Sequence, residues 1–128
     1  MNEKELTPLT YAYLGDAVLE VLVRERLVQR CPDSASCNRE ALQYVTAARQ
    51  AEASKRLRDT LTPEEEAFFL HARNAKPHSV PHSADPYEYR LATGLEALFG
   101  WLHTLGKAER IRELFAIAFP DLDRLDIL

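Results

Sequence analysis

Glycine is scarce in this sequence, with 4 among 128 residues, and runs of β-branched residues are few. Both shortages speak against a β sandwich or barrel, which needs frequent turns and branched side chains on pleated strands. No stretch approaches a membrane span, for which about 20 apolar residues in a row are required. There are only two cysteines, Cys31 and Cys37, on either side of a short polar stretch. CPDSASC offers two thiols at an unusual spacing where a structural zinc takes about four ligands, so both read as reduced, structural thiols. The N-terminal MNEKELTP is polar and mixed in charge. Neither a signal nor a transit peptide is therefore expected, and the expected location is the cytoplasm, with no membrane partner. An excess of basic residues is also missing: the formal net charge is −4. That balance argues against indiscriminate nucleic-acid binding, which needs a broad basic surface. A small basic patch beside cation-holding carboxylates remains compatible with it.

What is present is an ordinary globular composition, 46% apolar and 28% charged. The length suits one domain with one hydrophobic core, covering residues 1–128. Cap and breaker residues divide the chain into about five helices, with a short final turn possible in DLDRLDIL, so the fold class is all-α. The first helix starts at Thr7 with Pro8 in the first turn and runs to about Arg30. Residues 31–37 form a turn. The second helix runs from near Asn38 to about Thr60, with a basic side of Arg39, Arg49, Lys55, Arg56 and Arg58. Thr62-Pro63-Glu64-Glu65 is a capping box that opens the third, which fades near Asn74. KPHSVPHSA, residues 76–84, is the one long loop. Asp85-Pro86-Tyr87-Glu88 opens the fourth helix and Gly106 closes it. The fifth runs from Lys107 to about Phe119, ahead of Pro120.

Two of these helices carry acids where apolar residues dominate. In YLGDAVLEVLV, at about 100° per residue, Ala12, Tyr13, Asp16, Glu20 and Val23 share a face. The other side holds Leu14, Val18 and Leu22, so the helix is apolar nearly all round, the pattern of a central helix. In LATGLEALFGWLHTLG, Glu96 is the only carboxylate, and Gly94, Ala97 and Gly100 permit a close helix neighbour. A buried, unpaired carboxylate is unfavourable by several kcal/mol or titrates upward. A basic partner, a proton or a metal ion relieves it. Arg24 lies four residues after Glu20, and His103 or an arginine could serve Glu96. If the first and fourth helices pack together, Asp16, Glu20 and Glu96 could instead converge on one hard divalent cation. Mg²⁺ keeps several waters and needs only one or two protein carboxylates.

Here the residues resemble a family. YLGDAVLE is similar to the FLGDAVLE signature of ribonuclease III, and TGLEALFGWL resembles that family's second acidic helix, D-x-x-E-A-x-x-G. HARNAK, residues 71–76, and YEYRLATGLEALFGWL narrow the resemblance to Mini-ribonuclease III, the short bacterial form without a double-stranded-RNA-binding domain. The resemblance covers nearly the whole chain. It implies an all-helical ribonuclease III catalytic domain acting as a homodimer. It also implies cleavage of double-stranded RNA with Mg²⁺, Mn²⁺ being a possible substitute. The implied substrate is a precursor of large-subunit ribosomal RNA, which a ribosomal protein could present. Asp16 and Glu96 match the family's catalytic metal ligands, and Glu20 is a weaker third. Arg73, Asn74 and Lys76 take a substrate-binding role by the same resemblance. His78 and His82 in the loop, and Arg49 on the second helix, are further candidate RNA contacts.

The sequence departs from the longer family members at two positions. Ala12 stands where they have Glu, and Thr93 where they have Asp. Both changes fit the short form, and both thin the ligand set. Two other readings therefore stand beside the nuclease: a catalytically inactive RNA-binding or ribosome-assembly module, and a helical dimer whose acids form internal salt bridges. On helix spacing alone, Arg73 and Lys76 also complement a helix C-terminus as ordinary solvated charges.

Overall fold

Five of the helices begin where a side chain accepts from the free amides of the first turn. The computed structural model describes residues 6–75 and 85–123. Helix α1, Pro8–Leu27, is capped by Thr7, whose side chain accepts from the Thr10 amide. Asp33 does the same for Ser36 and starts α2, Ser34–Ala41. Thr46 accepts from the Arg49 amide and starts α3, Ala47–Leu57. A single 3-10 turn at Arg58–Thr60 leads to α4, Pro63–Arg73, where Thr62 and Glu65 form the reciprocal capping box. Asp85 caps α5, Pro86–Thr104, and Gly106 follows with φ +72°, the left-handed value that ends a helix cleanly. The last two helices are α6, Ala108–Ala118, and α7, Pro120–Asp123.

The all-α expectation holds, with seven α-helices and no strand among the described residues. One element differs. The long second helix expected from Asn38 to Thr60 is two helices, broken at residues 42–46, and the expected turn at 31–37 already contains the start of α2. The reason is local: Thr46 takes an extended conformation and spends its hydroxyl on capping α3, and Asp33 caps α2 in the same way. Pro120 ends α6 as expected, but it also opens α7.

Helix α5 is the centre of the molecule. Every position from Leu91 to Leu102 is buried except Glu96 and Trp101, which are half-buried. It packs most extensively on α1, then on α3 and α4. The main core joins Leu19, Leu22 and Leu27 of α1 with Leu98, Phe99 and Leu102 of α5 and Leu114 and Phe115 of α6. Each such side chain contributes roughly 1.5–3 kcal/mol on full burial. Trp101 stacks on Phe68 of α4 at 4.5 Å, and Tyr11 of α1 meets the same ring edge-on at 5.3 Å. These rings bind three helices together around the middle of α5.

Helix α1 was the helix expected at the centre, and it is not. Its apolar residues form two sides, and only one is covered. Gly15, Leu19 and Val23 face the core, while Tyr13 is 84% exposed, Val21 55% and Val28, just past the helix end, 65%.

Candidate active site at the crossing of two helices

The α1–α5 crossing is built from glycine. A Cβ placed on Gly15 would overlap the Glu96 carbonyl oxygen, and one on Gly100 would overlap the Tyr11 carbonyl oxygen. The two backbones are therefore in direct contact, closer than any side chain allows. The third small residue of α5, Gly94, serves α4 instead: its missing Cβ leaves room for the Phe69 ring, 2.8 Å away.

This contact decides where the acids go. Asp16 follows Gly15 and stands exposed at the edge of the crossing, not within a buried strip. Glu96 is half-buried on the facing helix, and its carboxyl lies within hydrogen-bonding range of the Asp16 carboxyl. Burial, followed by the Asp16 charge, pushes the Glu96 carboxyl up to about 8; the Gln50 amide pulls the other way. Two carboxylates held this close resist ionising together unless a cation lies between them. The expected meeting of Asp16 with Glu96 is thus present.

The third carboxylate does not join them. Glu20 accepts from Arg24 at 3.3 Å, the local ion pair that its i+4 spacing offered. Among the described residues, no three His, Cys, Asp or Glu side chains converge in a way that could hold a metal. The two positions that differ from the longer family members show why the set is thin. Ala12 is buried against Ala72 of α4 and Ala97 of α5, and a glutamate there would displace both methyl contacts. Thr93 is buried as well, and its hydroxyl donates to the Tyr89 carbonyl at 3.0 Å within its own helix. The donor set is an oxygen-only pair of acids with Gln50 beside it. That fits a hard divalent cation which keeps most of its waters, and it does not fit a soft metal.

Gln50 is the residue the sequence reading missed. It is 3% exposed, in the first turn of α3, and α3 packs on α5. The available signal was a lone glutamine in AARQAEA, an alanine-rich stretch where a buried amide needs a specific partner. Arg49, singled out instead, lies elsewhere: it pairs with Asp121 at 3.3 Å and covers the Tyr44 ring at 4.6 Å. His103, considered for Glu96, is exposed on the last turn of α5.

The proposed RNA contacts are only partly described. Ala72, next to the last residue of α4, packs with Ala12 of α1 and Ala97 of α5. Arg73 and Asn74 come next in the chain, and the Arg73 Nε donates to the Asn74 side-chain oxygen at 3.2 Å. Lys76, His78 and His82 lie outside the described residues. The two cysteines are free and half-buried, with Cys37 inside α2 rather than at the edge of a turn.

An all-helical domain that sets an aspartate of its first helix against a glutamate of its central helix defines a class, the ribonuclease III domain. The sequence model of the Ribonuclease III domain matches residues 9–107. A Mini-ribonuclease 3 of Symbiobacterium thermophilum is 45% identical over 124 residues, which is 96% of this chain and 95% of that one. One from Enterococcus faecalis is 40% identical over 114 residues, 87% of this chain and 86% of the relative. A crystal structure of a Fusobacterium nucleatum protein superposes with a TM-score of 0.82 at 28% identity, covering 91% of this chain and 90% of that one. The chain belongs to the Mini-ribonuclease III family.

Proposed function

We propose that this protein is a Mg²⁺-dependent endoribonuclease that cuts double-stranded RNA as a cytoplasmic homodimer. The observation that carries the reading is the adjacency of Asp16 and Glu96 at a solvent-facing helix crossing, inside a chain of this family. These two acids would hold the ion, with Mn²⁺ as a substitute. When bound, the divalent cation supplies the Lewis acidity that phosphodiester hydrolysis needs. The residues do the rest. Glu96 carries a proton up to about pH 8 when no cation is present and gives it up as one binds. Asp16, exposed, faces the phosphodiester. Arg73 and Asn74 provide phosphate or 2′-hydroxyl contacts, the features by which an RNA duplex is recognised. The expected products carry 5′-phosphate and 3′-hydroxyl ends. By family resemblance the natural substrate is a precursor of 23S ribosomal RNA, with a ribosomal protein as a possible presenting partner.

The uncovered side of α1 supports the homodimer. Leu14, Ala17, Val18 and Val21 of α1 and Ile111 of α6 line an open apolar groove of about 470 Å³. Apolar residues left out in this way commonly meet a second subunit. A long duplex has two strands to cut, and two sites related by symmetry suit that task.

One observation favours a second reading, an RNA-binding module that does not cut: only two acids meet where longer relatives would bring more. A single assay decides. The protein is incubated with a long RNA duplex in Mg²⁺, then with a chelator, alongside Asp16→Asn. Metal-dependent cleavage that the variant lacks supports the nuclease. Binding without cleavage supports the module, and neither activity leaves a helical protein whose acids are internal.

A further inference from the structure

Four polar or charged residues are buried among the described residues: Gln50, Ser54, Glu65 and Thr93. Three are accounted for by ordinary structure. Ser54 donates to the Ala51 carbonyl at 2.7 Å, and Thr93 to the Tyr89 carbonyl at 3.0 Å. Glu65 caps α4 and pairs with Arg110 at 2.8 Å. Gln50 has no such structural role: it is buried where α3 packs on α5, the helix that carries Glu96, and its amide acts on that carboxyl. A primary amide taken out of water is unfavourable unless its hydrogen bonds are satisfied, so its presence in the α3–α5 contact calls for a reason.

We propose that Gln50 is the positioning residue for Glu96: its buried amide holds the Glu96 carboxylate facing Asp16 so that the pair can share one divalent cation. This rests on the reading of Asp16 and Glu96 as metal ligands. The chemistry of the side chain suits the task. An amide N–H donates to a carboxylate and orients it without cancelling its charge. A lysine or arginine there would neutralise Glu96 and compete with the cation. The preceding residue of α3 shows the contrast. Arg49 carries such a charge, and it is drawn to Asp121 and Tyr44 instead. The break before α3 contributes too. Thr46 caps the helix and so places Gln50 one turn in, against α5.

The test uses the full-length protein and two substitutions. Gln50→Met keeps the volume and removes the hydrogen bond; Gln50→Ala removes both. Mn²⁺ binding to the RNA-free protein is followed by electron paramagnetic resonance, and kcat and KM are measured separately on a long RNA duplex. Thermal melting checks the fold. Residues that orient a metal ligand are typically worth about 10–100-fold in metal affinity or activity. For Gln50→Met the expected result is a loss of that size in both Mn²⁺ affinity and kcat, with KM for RNA within about twofold and the melting temperature retained. Raising the metal concentration should restore part of kcat. Wild-type Mn²⁺ affinity and kcat in a folded Gln50→Met would overturn the proposal, leaving a packing amide. So would a wild-type protein that binds no Mn²⁺. If the wild type binds Mn²⁺ but cuts no duplex, the nuclease reading fails alone, and the Mn²⁺ comparison still decides the role of Gln50.

Discussion

Gly15 and Glu96 touch backbone to backbone. A side chain on Gly15 would run into the Glu96 carbonyl oxygen and would also lie 2.9 Å from the Gly100 nitrogen. The residue after Gly15 is Asp16, so this contact is what brings one acid to the other. In an isolated helix Gly15→Ala would be favourable by about 1 kcal/mol. Here the sign should reverse, with unfolding free energy falling by about 3 kcal/mol or more, because neither backbone can move without parting the helices. Gly106→Ala is the control. It meets open space but sits at φ +72°, so it should lose only about 1–2 kcal/mol. Urea unfolding of both variants checks the pair.

The acid pair should make the metal-free protein sensitive to alkali. The Glu96 carboxyl is pushed up to about 8 in the folded chain, against about 4.5 for a glutamate in water. Its pKa is raised by folding, so the stability it contributes is complete below about 4.5 and is lost as pH rises through about 8. The loss should be on the order of a few kcal/mol. Chemical unfolding across that range, compared with Glu96→Gln, isolates the effect. Mg²⁺ should suppress it in the wild type, and a chelator should restore it.

On the acid side the opposite sign applies to Glu65. Arg110 donates to both of its oxygens, at 2.8 and 2.9 Å, and also to the Thr60 carbonyl at 2.7 Å. The Arg110 hydrogen bonds hold the Glu65 carboxyl below its usual range. Its contribution is therefore present above about 4.5 and lost as pH falls through the lower folded value. Arg110→Ala leaves Glu65 buried without its partner and should destabilise by about 3 kcal/mol at neutral pH. Glu65→Gln should flatten the acid limb of the stability profile.

Val21, 55% exposed in the single chain, tests the dimer. Val21→Glu puts a charge on the apolar side of α1 without disturbing the core. Sedimentation should shift from dimer to monomer, by a factor of about 10 or more in the dissociation constant. Melting at low protein concentration should change little. A variant that sediments like the wild type would place the subunit contact elsewhere.

Much of this was readable from residues that act locally. Thr7 with Pro8, the Thr62–Glu65 box, Asp85 and Gly106 each mark a helix end by what their own atoms do, and the ends fall where they indicate. The partnership of Asp16 and Glu96 was legible because each acid stands in an apolar stretch, and because YLGDAVLE and TGLEALFGWL resemble the two acidic motifs of one family. The break at 42–46 was missed because Thr46 was read as one residue of a basic helix rather than as a cap. Glu20 was legible as half of an i+4 ion pair with Arg24, and that is the role it has.

The sequence by itself determined the helices, their caps and the identity of the acids, because caps and apolar spacing act over a few residues. Tertiary structure alone decided which atoms meet. It made α5 rather than α1 the central helix and left one apolar side of α1 bare. It also drew Arg49 to Asp121 and buried Gln50 in the contact between α3 and α5. The meeting of Asp16 with Glu96 depends on how closely two backbones can approach at Gly15 and Gly100, a distance set by packing between segments some 80 residues apart in the chain.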